Sequence, residues 1–162
     1  YAAGKILSEI MLLNTDFFKR AVIFRPHNIY GPNMGFNHVI PEIILKTFKN
    51  KTIMKIEGEG LQTRSFCYID DFVQGLNILL NKGKNKNIYN IGTQNEIKII
   101  DLTKQIIKIS NKKMIIKNLK EKRGNPIRRC PNISKIKKLG FKPKTSLTKG
   151  LSKTFDWYQE NK

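Results

Sequence analysis

The stretch "RAVIFRPHNIYGPNMG", residues 20–35, decides the fold of this chain. A short apolar run ends at Pro26, and a loop rich in glycine and proline follows it. An apolar run closed by turn residues is typical of a buried strand in a parallel sheet. In an open parallel sheet, ligands bind in the loops at the carboxyl ends of the strands. The stretch therefore predicts an α/β fold with a ligand-binding loop after Pro26.

Further helices and strands alternate on both sides of this stretch, which again predicts an α/β fold. Asp70 and Ser146 are predicted to cap the helices that follow them, and a helix cap explains the "DD" pair better than a pair of acid–base carboxylates does. Gly140 is predicted to end a helix. Amphipathic periodicity and strand composition predict helices at about 2–18, 38–50, 71–82, 97–110, 133–139 and 146–161, and further strands at 52–56, 63–69, 86–92 and 112–118.

The chain is strongly basic, with 31 Lys and Arg against 12 Asp and Glu and a formal net charge of +19. Such a surplus is compatible with nucleic-acid binding. The lysines are spread widely, however, and no zinc finger, RNA-binding motif or arginine-rich tract accompanies them. We therefore expect a general attraction for anionic ligands and no dedicated nucleic-acid partner. A basic nucleic-acid-binding module is the alternative from another class of protein.

Other features narrow the class of protein. The length of 162 residues suits one domain. No apolar run approaches the roughly 20 residues needed to span a bilayer, and no signal peptide is recognised, so we expect a cytoplasmic protein without a membrane partner. Cys67 and Cys130, like His27 and His38, match no metal-ligand spacing. Unpaired thiols and no metal site are predicted.

Tyr1 and Lys5 open the chain in the stretch "YAAGK". On a helix, residues four apart lie on one face, with Cβ atoms about 5–6 Å apart. A nearby ammonium group lowers the pKa of a tyrosine, which would otherwise lie near 10, and makes the phenolate a usable general base. The spacing alone favours an ordinary surface pair, because a tyrosine and a lysine four residues apart occur by chance in many helices.

Polar residues in the predicted loops form a second group of candidates. Asn28 follows the first strand and offers both a hydrogen-bond donor and an acceptor, although a structural cap is the simpler interpretation. Arg64 enters a strand after a turn and suits bidentate phosphate recognition, or is a surface residue. Arg123, Arg128 and Arg129 share one irregular loop, where a diphosphate would relieve their mutual repulsion; a solvated basic loop is the alternative.

Five segments, taken in this order, resemble the extended short-chain dehydrogenase/reductase superfamily. More narrowly, they are similar to its NAD-dependent nucleotide-sugar epimerases, dehydratases and decarboxylases. The segments are "YAAGK" (1–5), "RPHNIYGPNMG" (25–35), "EGEGLQTRSFCYIDDFVQGL" (57–76), "YNIGTQNEIKIIDL" (89–102) and "RGNPIRRCPNISKIKKLGFKPKTSLTKGL" (123–151).

The resemblance implies an α/β fold made of the C-terminal part of a Rossmann-type parallel sheet and a small mixed α/β substrate-binding domain. Residues 1–32 would be the last part of the NAD-binding domain. Residues 33–162 would be mainly the substrate-binding domain, with short returns to the Rossmann sheet at about 63–95. The family's glycine-rich NAD loop does not occur in these 162 residues. We therefore expect a C-terminal fragment, inactive alone, of a protein that is a homodimer when complete.

The resemblance also implies roles in catalysis and cofactor binding. Tyr1 would remove a proton from a sugar hydroxyl while hydride passes to NAD, and Lys5 would lower the pKa of that tyrosine and contact the nicotinamide ribose. Pro26 and His27 would complete the cofactor-binding set.

The implied substrate is a nucleotide-diphosphate sugar, which would react through a transient 4-keto sugar. Epimerisation or dehydration is the preferred outcome, and decarboxylation of UDP-glucuronate is the alternative within the family. A catalytically dead remnant that only binds a ligand is a further alternative. The substrate-binding residues implied by the resemblance are Asn28, His38, Val39, Arg64, Arg123 and Arg128.

Overall fold

The computed structural model describes residues 2–50, 52–120, 124 and 126–161. Helices and strands alternate through most of this part of the chain, which confirms the predicted α/β class. The helices are α1 (Ala2–Asn14), α2 (Val39–Lys49), α3 (Ile69–Lys82), α4 (Ile99–Ile109), α5 (Ser134–Lys137) and α6 (Leu147–Glu160). The strands are β1 (Val22–Pro26), β2 (Ile29–Tyr30), β3 (Ile53–Glu57), β4 (Thr63–Ser65), β5 (Cys67–Tyr68), β6 (Asn87–Ile91), β7 (Glu96–Lys98), β8 (Ile115–Leu119) and β9 (Arg128–Arg129).

Parallel pairing dominates the sheets. β1 pairs with β6, β2 with β5 and β3 with β8, in each case in parallel. In the remaining sheet, β4 lies between β7, which is antiparallel to it, and β9, which is parallel. Parallel neighbours require long crossover connections, and the helices between the strands supply several of these.

Two hydrophobic clusters hold these elements together. The larger cluster joins α2, α4 and α6 to β2 and β3, and Tyr30, Ile44 and Leu102 are almost completely buried in it. The smaller cluster packs α3 and α5 against β6 around Ile91 and Phe141. Each cluster therefore joins segments that are far apart in the sequence.

Helix α1 packs little against the rest of the described chain. It has no buried residue, and its apolar side chains Ile6, Leu7, Ile10 and Met11 are exposed. A bidentate ion pair between Glu9 and Arg25 ties it to β1. Among the described residues, β1 has β6 as its one strand partner. The apolar face of α1 and one edge of β1 are thus uncovered in this part of the chain. Nowhere in that part does a helix reach the length and hydropathy that crossing a membrane requires.

Several local predictions are confirmed and others are wrong. The Oγ of Ser146 accepts a hydrogen bond from the backbone N–H of Lys149, so Ser146 caps α6 as predicted. Gly140 has a φ of 101° just after α5, as expected of a glycine that ends a helix. Helix α1 ends at Asn14, four residues earlier than residue 18, the predicted end. The predicted loop at 28–35 contains the short strand β2, because residues 29 and 30 pair with β5.

Asp70 does not cap α3, contrary to the prediction. The preceding strand ends at Tyr68, which therefore occupies the N-cap position, and Asp70 lies in the first helical turn. The neighbouring Asp71 is buried and accepts hydrogen bonds from the backbone N–H groups of Lys144 and Thr145. The "DD" pair thus places one carboxylate near a helix N-terminus and uses the other to anchor the segment before α6.

Candidate functional site

A pocket of about 380 Å³ lies between the first turns of α2, the end of β3, and strands β4 and β9. Asn28, His38, Val39 and Arg64 line it. The structure therefore brings together four of the residues predicted to bind substrate, from segments up to 36 positions apart in sequence. Arg129, which was not in that set, also lines the pocket.

Arg64 and Arg129 define the cationic wall of this pocket. The two residues are Cα partners in the parallel β4–β9 pair. Directly opposed residues place their side chains on the same face of a sheet. Burial lowers the pKa of Arg64, and the nearby charge of Arg129 lowers that pKa further. The two neighbouring positive charges repel each other, so this wall is suited to an anion with several oxygen atoms.

Arg128 does not line this pocket. Successive residues of a strand point to opposite faces, so Arg128 turns away from the face that Arg129 occupies. Its guanidinium forms three hydrogen bonds of 2.6–3.1 Å with the carboxylate of Glu96 on β7. These hydrogen bonds lower the pKa of Glu96. Arg123, the other arginine that the sequence singled out in this loop, lies outside the described residues.

Asn28 stands at the wall next to Arg64. Its backbone has a φ of 44°, a left-handed conformation that asparagine tolerates better than most residues. Its side-chain Nδ2 donates to the backbone carbonyl oxygen of Ser65 at 2.8 Å, and its backbone carbonyl oxygen accepts from the N–H of Cys67 at 3.1 Å. The first bond orients the side-chain amide of Asn28, and the second fixes its backbone just after the carboxyl end of the first strand.

Helix α2 also contributes to the lining of the pocket. His38 is its N-cap residue, and the His38 carbonyl oxygen accepts from the backbone N–H of Glu42 at 2.9 Å. One turn further on, the carboxylate of Glu42 pairs with the Nζ of Lys46 at 2.7 Å, and both side chains line the pocket. The same Nζ donates to the carbonyl oxygen of Lys55 on β3 at 3.0 Å. This part of the pocket lining therefore carries charges of both signs.

The residues predicted to serve catalysis and cofactor binding are Tyr1, Lys5, Pro26 and His27. Tyr1 lies outside the described residues, and Lys5 lies on the exposed surface of α1. Pro26 ends β1, and the backbone N–H of His27 donates to the carbonyl oxygen of Ile91 at 3.0 Å. Lys5, Pro26 and His27 do not line the pocket. Pro26 and His27 do lie at the carboxyl end of a parallel strand pair, which is where ligands bind in sheets of this kind.

Sequence reasoning missed Arg129 as a pocket residue, although it identified the arginine-rich loop. The loop contains a strand of only two residues, and strand alternation separates Arg128 from Arg129. Recognising that strand from the sequence would have shown that only one of the two neighbouring arginines could share a face with Arg64. In the part of the chain that the structure describes, no group of three or more His, Cys, Asp or Glu side chains could hold a metal ion.

Comparisons with known proteins identify the family. The sequence model described as "NAD dependent epimerase/dehydratase family" matches residues 1–92. The chain belongs to the NAD-dependent epimerase/dehydratase family. The parallel pair of β1 and β6 accordingly belongs to a Rossmann-type sheet.

The relatives include nucleotide-sugar dehydratases. Human dTDP-D-glucose 4,6-dehydratase is 35% identical over 170 residues, which cover 99% of this chain and 48% of that protein. The Arabidopsis thaliana trifunctional UDP-glucose 4,6-dehydratase/UDP-4-keto-6-deoxy-D-glucose 3,5-epimerase/UDP-4-keto-L-rhamnose-reductase RHM1 is 32% identical over 165 residues, which cover 99% of this chain and 24% of that protein. The chain thus spans less than half of the length of either relative.

Solved structures with the same fold agree with this assignment. The dTDP-glucose 4,6-dehydratase DesIV of Streptomyces venezuelae, crystallised with NAD and TYD, has a TM-score of 0.87 and 26% identity over 99% of this chain and 51% of its own. The UDP-glucuronic acid 4-epimerase of Bacillus cereus, in complex with UDP-glucuronic acid and NAD, has a TM-score of 0.87 and 30% identity over 99% of this chain and 51% of its own.

Proposed function

We propose that this chain is the nucleotide-sugar-binding part of an NAD-dependent epimerase or dehydratase that acts through a transient 4-keto sugar. One observation carries the proposal: Arg64 and Arg129 oppose each other in a pocket that Asn28 also lines. A diphosphate offers several anionic oxygens to a pair of guanidinium groups, each of which can form bidentate hydrogen bonds. The family membership of the chain makes a nucleotide-diphosphate sugar the natural source of that diphosphate.

The proposed catalytic residues lie at the start of the sequence. Tyr1 is proposed as the base that removes the proton of the sugar 4-hydroxyl, and Lys5 as the group that lowers the pKa of Tyr1. NAD supplies the hydride acceptor, and Pro26 and His27 are proposed to contact it from the end of β1. No glycine-rich phosphate loop occurs in these 162 residues, so we propose that they do not turn over substrate alone.

A division into two parts follows from the same proposal. Residues 1–32 would belong to the NAD-binding part, and residues 33–162 mainly to the substrate-binding part, with returns to the Rossmann sheet within 63–95. The parallel pairing of β1 with β6 supports this division, because β6 lies within the returning segment. A homodimer is proposed for the complete protein.

Decarboxylation is the second candidate within the family. The UDP-glucuronic acid decarboxylase 3 of Arabidopsis thaliana is 32% identical over 158 residues, which cover 93% of this chain and 45% of that protein. Epimerisation, dehydration and decarboxylation would all begin with the same oxidation at C4 of the sugar. The diphosphate-binding pocket would therefore serve each of them.

Calorimetric titration of the chain with UDP and dTDP tests the proposal. Arg64→Ala is expected to weaken binding of both nucleotides at least ~10-fold, because it removes a charged hydrogen-bond donor. Arg25→Ala is the matched control, since Arg25 pairs with Glu9 on an exposed surface and removal of its charge should leave affinity unchanged. Equal affinities for the wild type and Arg64→Ala, or no binding of either nucleotide by the folded wild type, would overturn the proposal.

A further inference from the structure

Two chemically different groups of side chains line the candidate pocket. The arginine wall with Asn28 is cationic and suits a diphosphate. The second group consists of the paired side chains of Glu42, in the first turn of α2, and Lys46, one turn further on. A diphosphate placed on the arginines leaves this second group for another part of the nucleotide.

Lys46 and Glu42 are held in different ways. The Nζ of Lys46 has two partners, the Glu42 carboxylate at 2.7 Å and the Lys55 carbonyl oxygen at 3.0 Å, so its position against β3 is set. The Glu42 side chain is the more accessible of the pair, with 54% relative exposure against 28% for Lys46. Solvent therefore reaches the Glu42 carboxylate, and an entering ligand can do the same.

Apolar side chains flank this charged pair. Ile43 and Ile56 are both buried and both line the pocket. Together with the partly buried Val39, they supply apolar atoms to the pocket lining, against which a planar ring can pack. Charged groups at the edge and aliphatic groups at the face are what recognition of a heteroaromatic base requires.

A carboxylate only accepts hydrogen bonds, and an ammonium group only donates them. The matching ligand edge has an N–H next to a carbonyl oxygen, so that the N–H meets Glu42 and the oxygen meets Lys46. Uracil, thymine and guanine present such an edge. Adenine and cytosine present an unprotonated ring nitrogen at the equivalent place, and its lone pair would face the carboxylate.

Resting on the proposed function of the pocket, we propose that Glu42 and Lys46 read the nucleobase of the bound nucleotide and select one with an N–H beside a carbonyl group. Glu42 accepts from the ring N–H, and Lys46 donates to the neighbouring oxygen. Glu42 is thus a specificity-determining residue. The arginine wall binds the diphosphate whatever the base is.

Titration of the chain with UDP, dTDP, GDP, CDP, ADP and inorganic pyrophosphate tests this assignment. We expect at least one of UDP, dTDP and GDP to bind ~10-fold or more tightly than both CDP and ADP, since a lost charged hydrogen bond costs about that factor. The relative affinities of UDP, dTDP and GDP then show which of the three bases the pocket prefers.

Glu42→Gln is the diagnostic variant, because an amide both donates and accepts. In this variant, the ratio of the affinity for the preferred nucleotide to that for CDP should fall to near unity. The affinity for pyrophosphate should stay within ~3-fold of the wild type. Glu160→Gln, on the exposed end of α6, makes the same change of charge outside the pocket and should leave the preference unchanged.

The outcomes separate the two proposals. Equal binding of all five nucleotides, or an unchanged preference in Glu42→Gln, would overturn base reading while leaving the diphosphate site intact. If Glu42→Gln weakens binding of UDP-glucose but not of UDP, Glu42 and Lys46 contact the sugar and not the base. That result would also overturn base reading. Failure of pyrophosphate and every nucleotide to bind the folded chain would overturn the proposed function as well.

Discussion

Arg64 and Arg129 lie directly opposite each other in the parallel β4–β9 pair, while Arg128, one residue earlier, turns to the other face and pairs with Glu96. This alternation gives a matched pair of substitutions. Arg129→Ala should weaken UDP and pyrophosphate binding at least ~10-fold, whereas Arg128→Ala should change it less than ~2-fold. Titration calorimetry on both variants measures the difference. A larger loss in Arg128→Ala would show that the assignment of faces is wrong.

Asp71 should contribute more to stability than its neighbour Asp70. The buried carboxylate of Asp71 accepts from the backbone N–H groups of Lys144 and Thr145 at 2.9 and 3.0 Å. An asparagine has one acceptor oxygen in place of two, so in Asp71→Asn one of these two N–H groups loses its acceptor, and the free energy of unfolding should fall by about 1–3 kcal/mol. Urea titration followed by circular dichroism measures it.

Asp70→Asn is the control for that experiment. The Asp70 carboxylate is 69% exposed, and its ion pair with Lys153 is 3.9 Å long. Exposed pairs contribute little, so the change should be below about 0.5 kcal/mol. Equal losses in the two variants would contradict the anchoring role of Asp71.

Gly150 should not tolerate a side chain, although it lies within a helix. A Cβ atom there would lie 2.1 Å from the Tyr30 hydroxyl oxygen and 2.9 Å from a ring carbon of Tyr68. The cost of overpacking, about 1–3 kcal/mol, should exceed the gain of up to ~1 kcal/mol in helix propensity, so Gly150→Ala should be destabilised in urea. Gly4→Ala, where a Cβ meets nothing within 4 Å, should be neutral or slightly stabilised. The opposite order of the two variants would show that α6 does not pack against Tyr30 as described.

The two cysteines should differ in reactivity. Burial raises the pKa of the Cys67 thiol from 9.0 to about 12, and its side chain is inaccessible. Cys130 is half-buried. At pH 8 iodoacetamide should label Cys130 first and Cys67 only after denaturation, as peptide mass spectrometry can show. Rapid labelling of Cys67 in the folded chain would contradict the described burial.

The raised pKa of the Cys67 thiol also predicts that stability depends on pH. The folded state favours the protonated thiol of Cys67, because its pKa is higher there than in the unfolded chain. Its contribution to stability is therefore fully present below pH 9.0 and is lost as the pH rises towards 12. Cys67→Ser should reduce this loss in urea titrations performed across that range. An identical pH profile in the two proteins would contradict the shift.

The parts of the site that could be predicted from the sequence are those with local signals. Asn28 and Arg64 each stand where a strand meets a turn, and both line the pocket. Arg129, Glu42 and Lys46 also line the pocket, but no local feature of the sequence marks them as pocket residues. The face that Arg129 occupies depends on its pairing with β4, more than 60 positions away in the chain, and a two-residue strand is too short to show a period.

Fold predictions failed where tertiary contacts override local preference. Asp70 is a residue type that favours the N-cap position, yet α3 begins at Ile69, two residues before the predicted start at residue 71, because Tyr68 ends the preceding strand. Strands β2 and β7 were not recognised because each has only two or three residues and is defined by its partner. The long helices α2, α4 and α6 were recognised because their apolar faces repeat over several turns.

A crystal structure of the chain with bound UDP tests the central claim most directly. We predict diphosphate oxygens about 3 Å from guanidinium nitrogens of both Arg64 and Arg129, with the amide of Asn28 at the same wall of the pocket. A diphosphate bound away from both arginines, or held by Arg128 on the opposite face of β9, would contradict the claim.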